Sequence, residues 1–168
     1  VAEDHLALIK NIKGGKDFFQ GFYQLARALN GKTIDFGLND EFFDETETLQ
    51  RLQLEGNKTK LAFFHSARLN YLYIVGKHSE ALAESRIVKQ YADNFLGDMQ
   101  EVSFAFYTSL SISAYYDNLN SGEKSKYLKI FRNNLKNMKL WATGSPVNFS
   151  QKYRLLQAEL FAVNNNFD

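Results

Sequence analysis

Tyr71-Leu72-Tyr73-Ile74-Val75-Gly76-Lys77-His78-Ser79-Glu80-Ala81-Leu82 is the stretch on which the fold turns. An apolar helical run stops at Gly76, and after one polar step a second amphipathic run opens on Glu80-Ala81. Glycine just past an apolar run is a common helix stop, because it enters the left-handed conformation without a Cβ penalty. The pattern predicts a tight antiparallel helix hairpin, the unit from which helical-repeat scaffolds are stacked.

Outward from that hairpin, nearly every segment reads as helix. Leu6 to Ile12 predicts a short first helix, broken at Gly14-Gly15, and Phe18 to Leu29 a second that stops at Asn30-Gly31. Thr33 to Leu38 reads as extended or looped. Asn39 or Asp40 is expected to open an acid-rich helix reaching about Leu54, with Asp40, Glu41, Asp44 and Glu45 against its positive N-terminus. Lys60 to Val75 and His78 to Leu96 form the hairpin arms, closed by Gly97.

Met99, Val102, Phe106 and Leu110 mark one face of a helix reaching Tyr116. Asn120-Ser121-Gly122-Glu123 fits a capping box. From there Tyr127, Phe131, Leu135, Met138 and Ala142 step by three or four. Pro146 separates this helix from a last one, where Asn148 and Gln151 read as a second cap. Phe149, Tyr153, Leu156, Leu160 and Val163 then alternate by four and three, up to Asn164-Asn165-Asn166. The expected fold class is all-α, built of three to four stacked antiparallel helix hairpins in one domain over 1–168.

Composition narrows the functional classes. With 45% apolar and 23% charged residues, the 168-residue chain is suited to a packed core and not to disorder. The longest nearly unbroken apolar window, Leu69 to Val75, is much too short for a bilayer and contains Asn70. Twenty basic against 19 acidic residues give a net charge of +1, without the basic excess that nucleic-acid binding calls for. The lack of cysteine excludes thiol catalysis, thiolate zinc sites and disulfides together. Two glycosylation triplets, at Asn57 and Asn148, come with no signal peptide and are read as chance occurrences. Val1 at the first position points to a piece cut from something longer.

Chemistry-bearing residues are scattered. Gly14-Gly15-Lys16 lacks the earlier glycine and the following Ser or Thr of a phosphate-binding loop, and Asp17 would repel phosphate there. His5, His65 and His78 lie far apart without metal-ligand spacing; His65, on a mostly apolar helix, reads as a core residue. The acids from Asp40 to Glu47 lack the alternating oxygens and central glycine of a calcium loop. No catalytic residue, cofactor site or metal site is assigned. Lys129, Arg132, Lys136 and Lys139 recur by three and four, so they share one helix stripe: a solvated back face, or a docking stripe for an acidic partner helix or a neighbouring protein domain. The aromatics Phe104, Phe106, Tyr107, Tyr115 and Tyr116 read as core, with an aromatic peptide groove as the alternative.

Gly76, His78, Glu80 and Ala81 resemble the hairpin turn of tetratricopeptide repeats (TPR), in the sense Gly-x-Tyr-x-Glu-Ala. Arg68-Leu69 stands where that repeat prefers Leu-Gly, and Ser85 replaces the aromatic of its second helix. The resemblance implies a TPR-like superhelix. A second one covers roughly Gly37 to Asp168. Its segments include Gly37-Leu38-Asn39-Asp40, Phe106-Tyr107-x-Ser109-Leu110, Met138-Lys139-Leu140-Trp141-Ala142, Pro146-x-Asn148-Phe149 and Lys152-Tyr153-x-Leu155-Leu156-x-Ala158-Glu159.

This succession is similar to the helical region of large bacterial multi-domain signal-transduction kinases. In that family a serine/threonine-kinase-like domain and an AAA-type ATPase precede the region, and a GAF sensor and a histidine kinase follow. Their ATP-binding and phosphorylated-histidine motifs have no counterpart here, so the segment itself is expected not to be an enzyme. The resemblance implies a cytoplasmic, non-catalytic scaffold that couples the ATPase and sensor modules or holds a protein partner. It also implies that Trp141, Phe149, Tyr153 and Glu159 fix the packing of the last two helices.

The alternative is a stand-alone TPR-like peptide-binding regulator, and an enzyme with dispersed groups is the third hypothesis. The C-terminal run is expected to be the first helix of a hairpin cut before its partner. Leu156, Leu160 or Val163 would then be exposed, and homodimers could form through that helix.

Overall fold

The computed structural model describes residues 15–95 and 99–164. Among them are seven α-helices: α1 (Gly15–Leu29), α2 (Glu45–Leu54), α3 (Lys58–Ile74), α4 (His78–Tyr91), α5 (Met99–Tyr115), α6 (Ser121–Gly144) and α7 (Pro146–Asn164). Short 3-10 turns at Ile34–Phe36, Ala92–Phe95 and Tyr116–Asn118 complete them. No strand occurs among the described residues beyond one isolated bridge between Asp40 and Phe43. The fold class is all-α. The expected helix at Leu6 to Ile12, His5 and Gly97 lie outside the described residues.

The α3–α4 hairpin forms where the sequence places it. Gly76 takes φ +79°, and the Lys77 amide reaches back to the Leu72 carbonyl at 2.9 Å. These are the features of a glycine-terminated helix. His78 opens α4 and packs its ring 5.4 Å from Tyr73, the place of the aromatic in the repeat pattern.

Side-chain caps open α2, α3 and α6, and two helix starts differ from expectation. Asn120 and Glu123 form the reciprocal capping box of α6, and Asn57 caps α3 through the Lys60 amide. The acid-rich helix does not open at Asn39 or Asp40. Asp44 is its cap, accepting from the Glu47 amide, and helix begins at Glu45. Asp40 is drawn away from that role: one of its oxygens accepts from the Phe42 amide and the other from Arg27 and Gln24 of α1. The second correction concerns α7, which begins at Pro146 and not at an Asn148 cap. Proline suits a first helical position because its missing N–H has no partner to lose there. The Ser145 carbonyl receives the amides of Asn148 and Phe149, while the Asn148 side chain turns back to Ser145 Oγ.

Packing proceeds from neighbour to neighbour. α1 lies on α3, α3 on α4, α4 on α5, α5 on α6 and α6 on α7; in addition α3 touches α5, and α5 touches α7. Two apolar clusters result. The first joins α1 to α4 around Phe64, Leu69 and Val88, and the second joins α4 to α7 around Leu82, Phe131, Met138 and Leu156. Tyr73 and Tyr107 contact both clusters and meet edge-to-face at 5.7 Å, so the core is continuous.

The last helix corrects a third expectation. Leu156 is fully buried, Val163 is buried and Leu160 is half-buried, because α5 and α6 already cover that face. The exposed apolar residues of α7 are Val147, Leu155 and Phe161. Trp141, Phe149 and Tyr153 pack into the second cluster, as the resemblance implies. Glu159 instead accepts from Ser113 Oγ at 2.5 Å and ties α7 to α5.

Candidate binding groove

Two polar features stand out, one closed and one open. The closed one is an ion network midway along the α3–α4 hairpin. Glu84, 2% exposed, meets His65 Nδ1 through one oxygen and Arg68 through the other, each at 2.5 Å. Arg68 Nε also reaches Glu45 at 2.5 Å, which brings α2 into the network. Burial by itself lowers the Arg68 pKa, but the charges of Glu84 and then Glu45 outweigh it and hold the guanidinium above its ordinary value. His65 stacks on Tyr91 at 5.9 Å. Glu84 thus joins α4 to His65 and Arg68 of α3, and Arg68 joins α3 to Glu45 of α2, so the network cross-links three helices.

The open feature is a groove of about 540 Å³ with α4, α5 and α6 as its walls and floor. α5 packs against both α4 and α6 and supplies Phe104 and Thr108; the groove runs over it. From α4 come Ser85, Arg86 and Lys89, and from α6 Lys126, Tyr127, Ile130, Asn133, Asn134 and Asn137. Ser85 stands where the repeat pattern carries an aromatic. Its small side chain, tied to the Leu82 carbonyl at 2.8 Å, leaves space that a ring would fill.

The lining has one sign of charge. Arg86, Lys89 and Lys126 are exposed at the rim, and no carboxylate lines the groove. Arg86 donates to the Tyr127 hydroxyl at 2.6 Å, and Lys126 lies 5.9 Å from the Tyr127 ring centre. None of the three pairs with an acid among the described residues. Asn134 is committed to the scaffold, donating to the Ala105 carbonyl and Ser109 Oγ of α5. Asn133 and Asn137 are exposed and make no hydrogen bond among the described residues. Thr108 is 4% exposed, and its hydroxyl is buried without a hydrogen-bond partner. Such a group is costly unless something satisfies it.

The basic stripe lies beside the groove and not in it. Lys129, Arg132, Lys136 and Lys139 are all exposed on α6. At 100° per residue their mean direction is roughly a third of a turn from the groove-facing set on the same helix. The aromatic group divides as well. Phe104 packs on the first cluster and also lines the groove, while Phe106, Tyr107, Tyr115 and Tyr116 pack on the second. Burial raises the Tyr107 hydroxyl above its ordinary value.

A smaller hollow near α1 and α2 sets Asp44 and Glu47 beside Arg51, so its lining mixes both signs of charge. No group of three or more His, Asp or Glu side chains that could hold a metal ion occurs among the described residues, and no helix there is long and apolar enough to cross a membrane. The chain matches no family model, no curated protein and no solved structure.

Proposed function

We propose that this chain is a non-catalytic helical-repeat scaffold of a signal-transduction kinase, a TPR-like stack that couples neighbouring modules or holds a protein partner. The observation that carries the reading is the packing order. First helices of successive hairpins, α3, α5 and α7, touch one another, while the second helices α4 and α6 flank an open groove. Stacking of that kind buries one face of each hairpin on its neighbours and leaves a contoured surface for a partner. The resemblance over Gly37 to Asp168 supplies the kinase context, and with it a cytoplasmic setting.

Reading the gene on both sides of this segment tests the assignment. Kinase-like and AAA-type ATPase modules upstream, with sensor and histidine-kinase modules downstream, are the expected result. A frame without them would overturn the kinase assignment and favour the stand-alone peptide-binding regulator, for which the same groove speaks.

A further inference from the structure

We infer that the groove between α4 and α6 takes an extended, acidic segment of a partner protein; the inference rests on the scaffold reading above and specifies its ligand. Three independent features converge on that chemistry. The rim carries Arg86, Lys89 and Lys126 with no carboxylate in the lining, so an anionic ligand meets attraction and a cationic one repulsion. Below the rim, Phe104 of α5 and Ile130 of α6 offer apolar surface to uncharged side chains of the ligand.

The third feature selects polypeptide over a small anion. Asn133 and Asn137 stand one helical turn apart, a rise of about 6 Å along α6. Two residues of an extended chain advance about 6.7 Å, nearly the same step. A carboxamide carries both a donor and an acceptor and can pair with the C=O and N–H of a peptide unit. Two free carboxamides at this spacing match alternate peptide units of one extended strand, while the side chains between them point to the cationic rim and the apolar floor. Inorganic phosphate would use the rim alone.

The test is fluorescence anisotropy of a labelled eight-residue peptide alternating Glu with Val, titrated with the full chain at about 0.15 M salt, where the screening length is about 8 Å. A Lys-Val peptide of the same length is the counter-probe. Lys89→Glu with Lys126→Glu is expected to weaken binding of the Glu-Val peptide by about tenfold. Asn133→Ala with Asn137→Ala is expected to weaken it by about fivefold or more through two lost hydrogen bonds. Reversing Lys129, Arg132, Lys136 and Lys139 together should change it by less than about threefold, since those charges act only through screened solvent. Circular dichroism of each variant establishes that it folds.

Equal affinity of wild type and both groove variants would overturn the inference. So would preference for the Lys-Val peptide, or complete competition by equimolar phosphate. A loss confined to the stripe variant would move the acidic ligand to the stripe and overturn it too. None of these outcomes touches the scaffold reading, which falls only on the gene context.

Discussion

Arg86 on α4 donates its Nε–H to the hydroxyl of Tyr127 on α6 at 2.6 Å, across 41 residues of sequence. Tyr127 is 3% exposed, and its ring joins the second apolar cluster while its oxygen faces the groove. One residue therefore fixes the groove wall to the core and orients a rim cation. Tyr127→Phe keeps the ring and removes the bond. It is expected to cost about 1 kcal/mol in urea unfolding and to free Arg86.

Thr108→Val isolates the orphaned hydroxyl. Valine keeps nearly the same shape and removes a buried polar group that has no partner within the fold. Stability in urea should rise by about 1 kcal/mol, while affinity for the acidic peptide stays the same, because the hydroxyl has almost no surface that a ligand could touch. A purely structural threonine would lose stability on the same change.

Glu84→Ala should be among the most damaging single changes outside the apolar core. It leaves the His65 ring and the Arg68 guanidinium facing a void midway along α4. A loss of about 3 kcal/mol is expected, read as a lower urea midpoint with little change in slope.

Gly21 tests helix–helix contact against helix propensity. A Cβ there would lie 3.1 Å from the Ala67 Cβ and 3.3 Å from the Phe64 Cα, and a backbone atom cannot give way as a side-chain tip can. Propensity alone favours alanine by about 1 kcal/mol. Gly21→Ala is nevertheless expected to destabilise, because α1 would be pushed off α3. Gly144→Ala, with open space around the site, provides the control.

Acid should loosen the anchor of α1. Burial alone raises the Asp40 carboxyl, but the Phe42 amide, Gln24 and Arg27 together hold it below its ordinary value of 3.8. A carboxyl depressed in the folded state contributes stability that is present above the unfolded value and lost as pH falls through the folded one. Urea midpoints of wild type should therefore drop more steeply below pH 3.8 than those of Asp40→Asn, the two curves converging at the acid end.

Much of the fold was legible because its signals are local. Gly76, the Asn120–Glu123 box and the periodic apolar series needed only neighbours a few residues away. The misreadings arose where a distant partner decided. Asp40 has the composition of a helix cap, but Arg27 and Gln24, 13 and 16 residues earlier, take its carboxylate. Leu156 and Val163 were expected to be exposed on the supposition that a further helix would cover them, yet α5 and α6 do so.

The groove was hidden for the same reason. Its residues come from three helices, and each set alone looks like an ordinary polar surface. The one sequence signal was Asn133-Asn134-x-x-Asn137, amides interrupting a lysine-rich helix face. The charged stripe, more conspicuous in sequence, turned out to lie beside the groove.

The measurement that bears most directly on the central claim is an amide chemical-shift map of the chain with and without the Glu-Val peptide. The side-chain amides of Asn133 and Asn137, and the backbone around Thr108 and Ser85, are expected to shift together and saturate with one affinity. Shifts confined to Lys129, Arg132, Lys136 and Lys139, or spread without saturation over the whole surface, would contradict it.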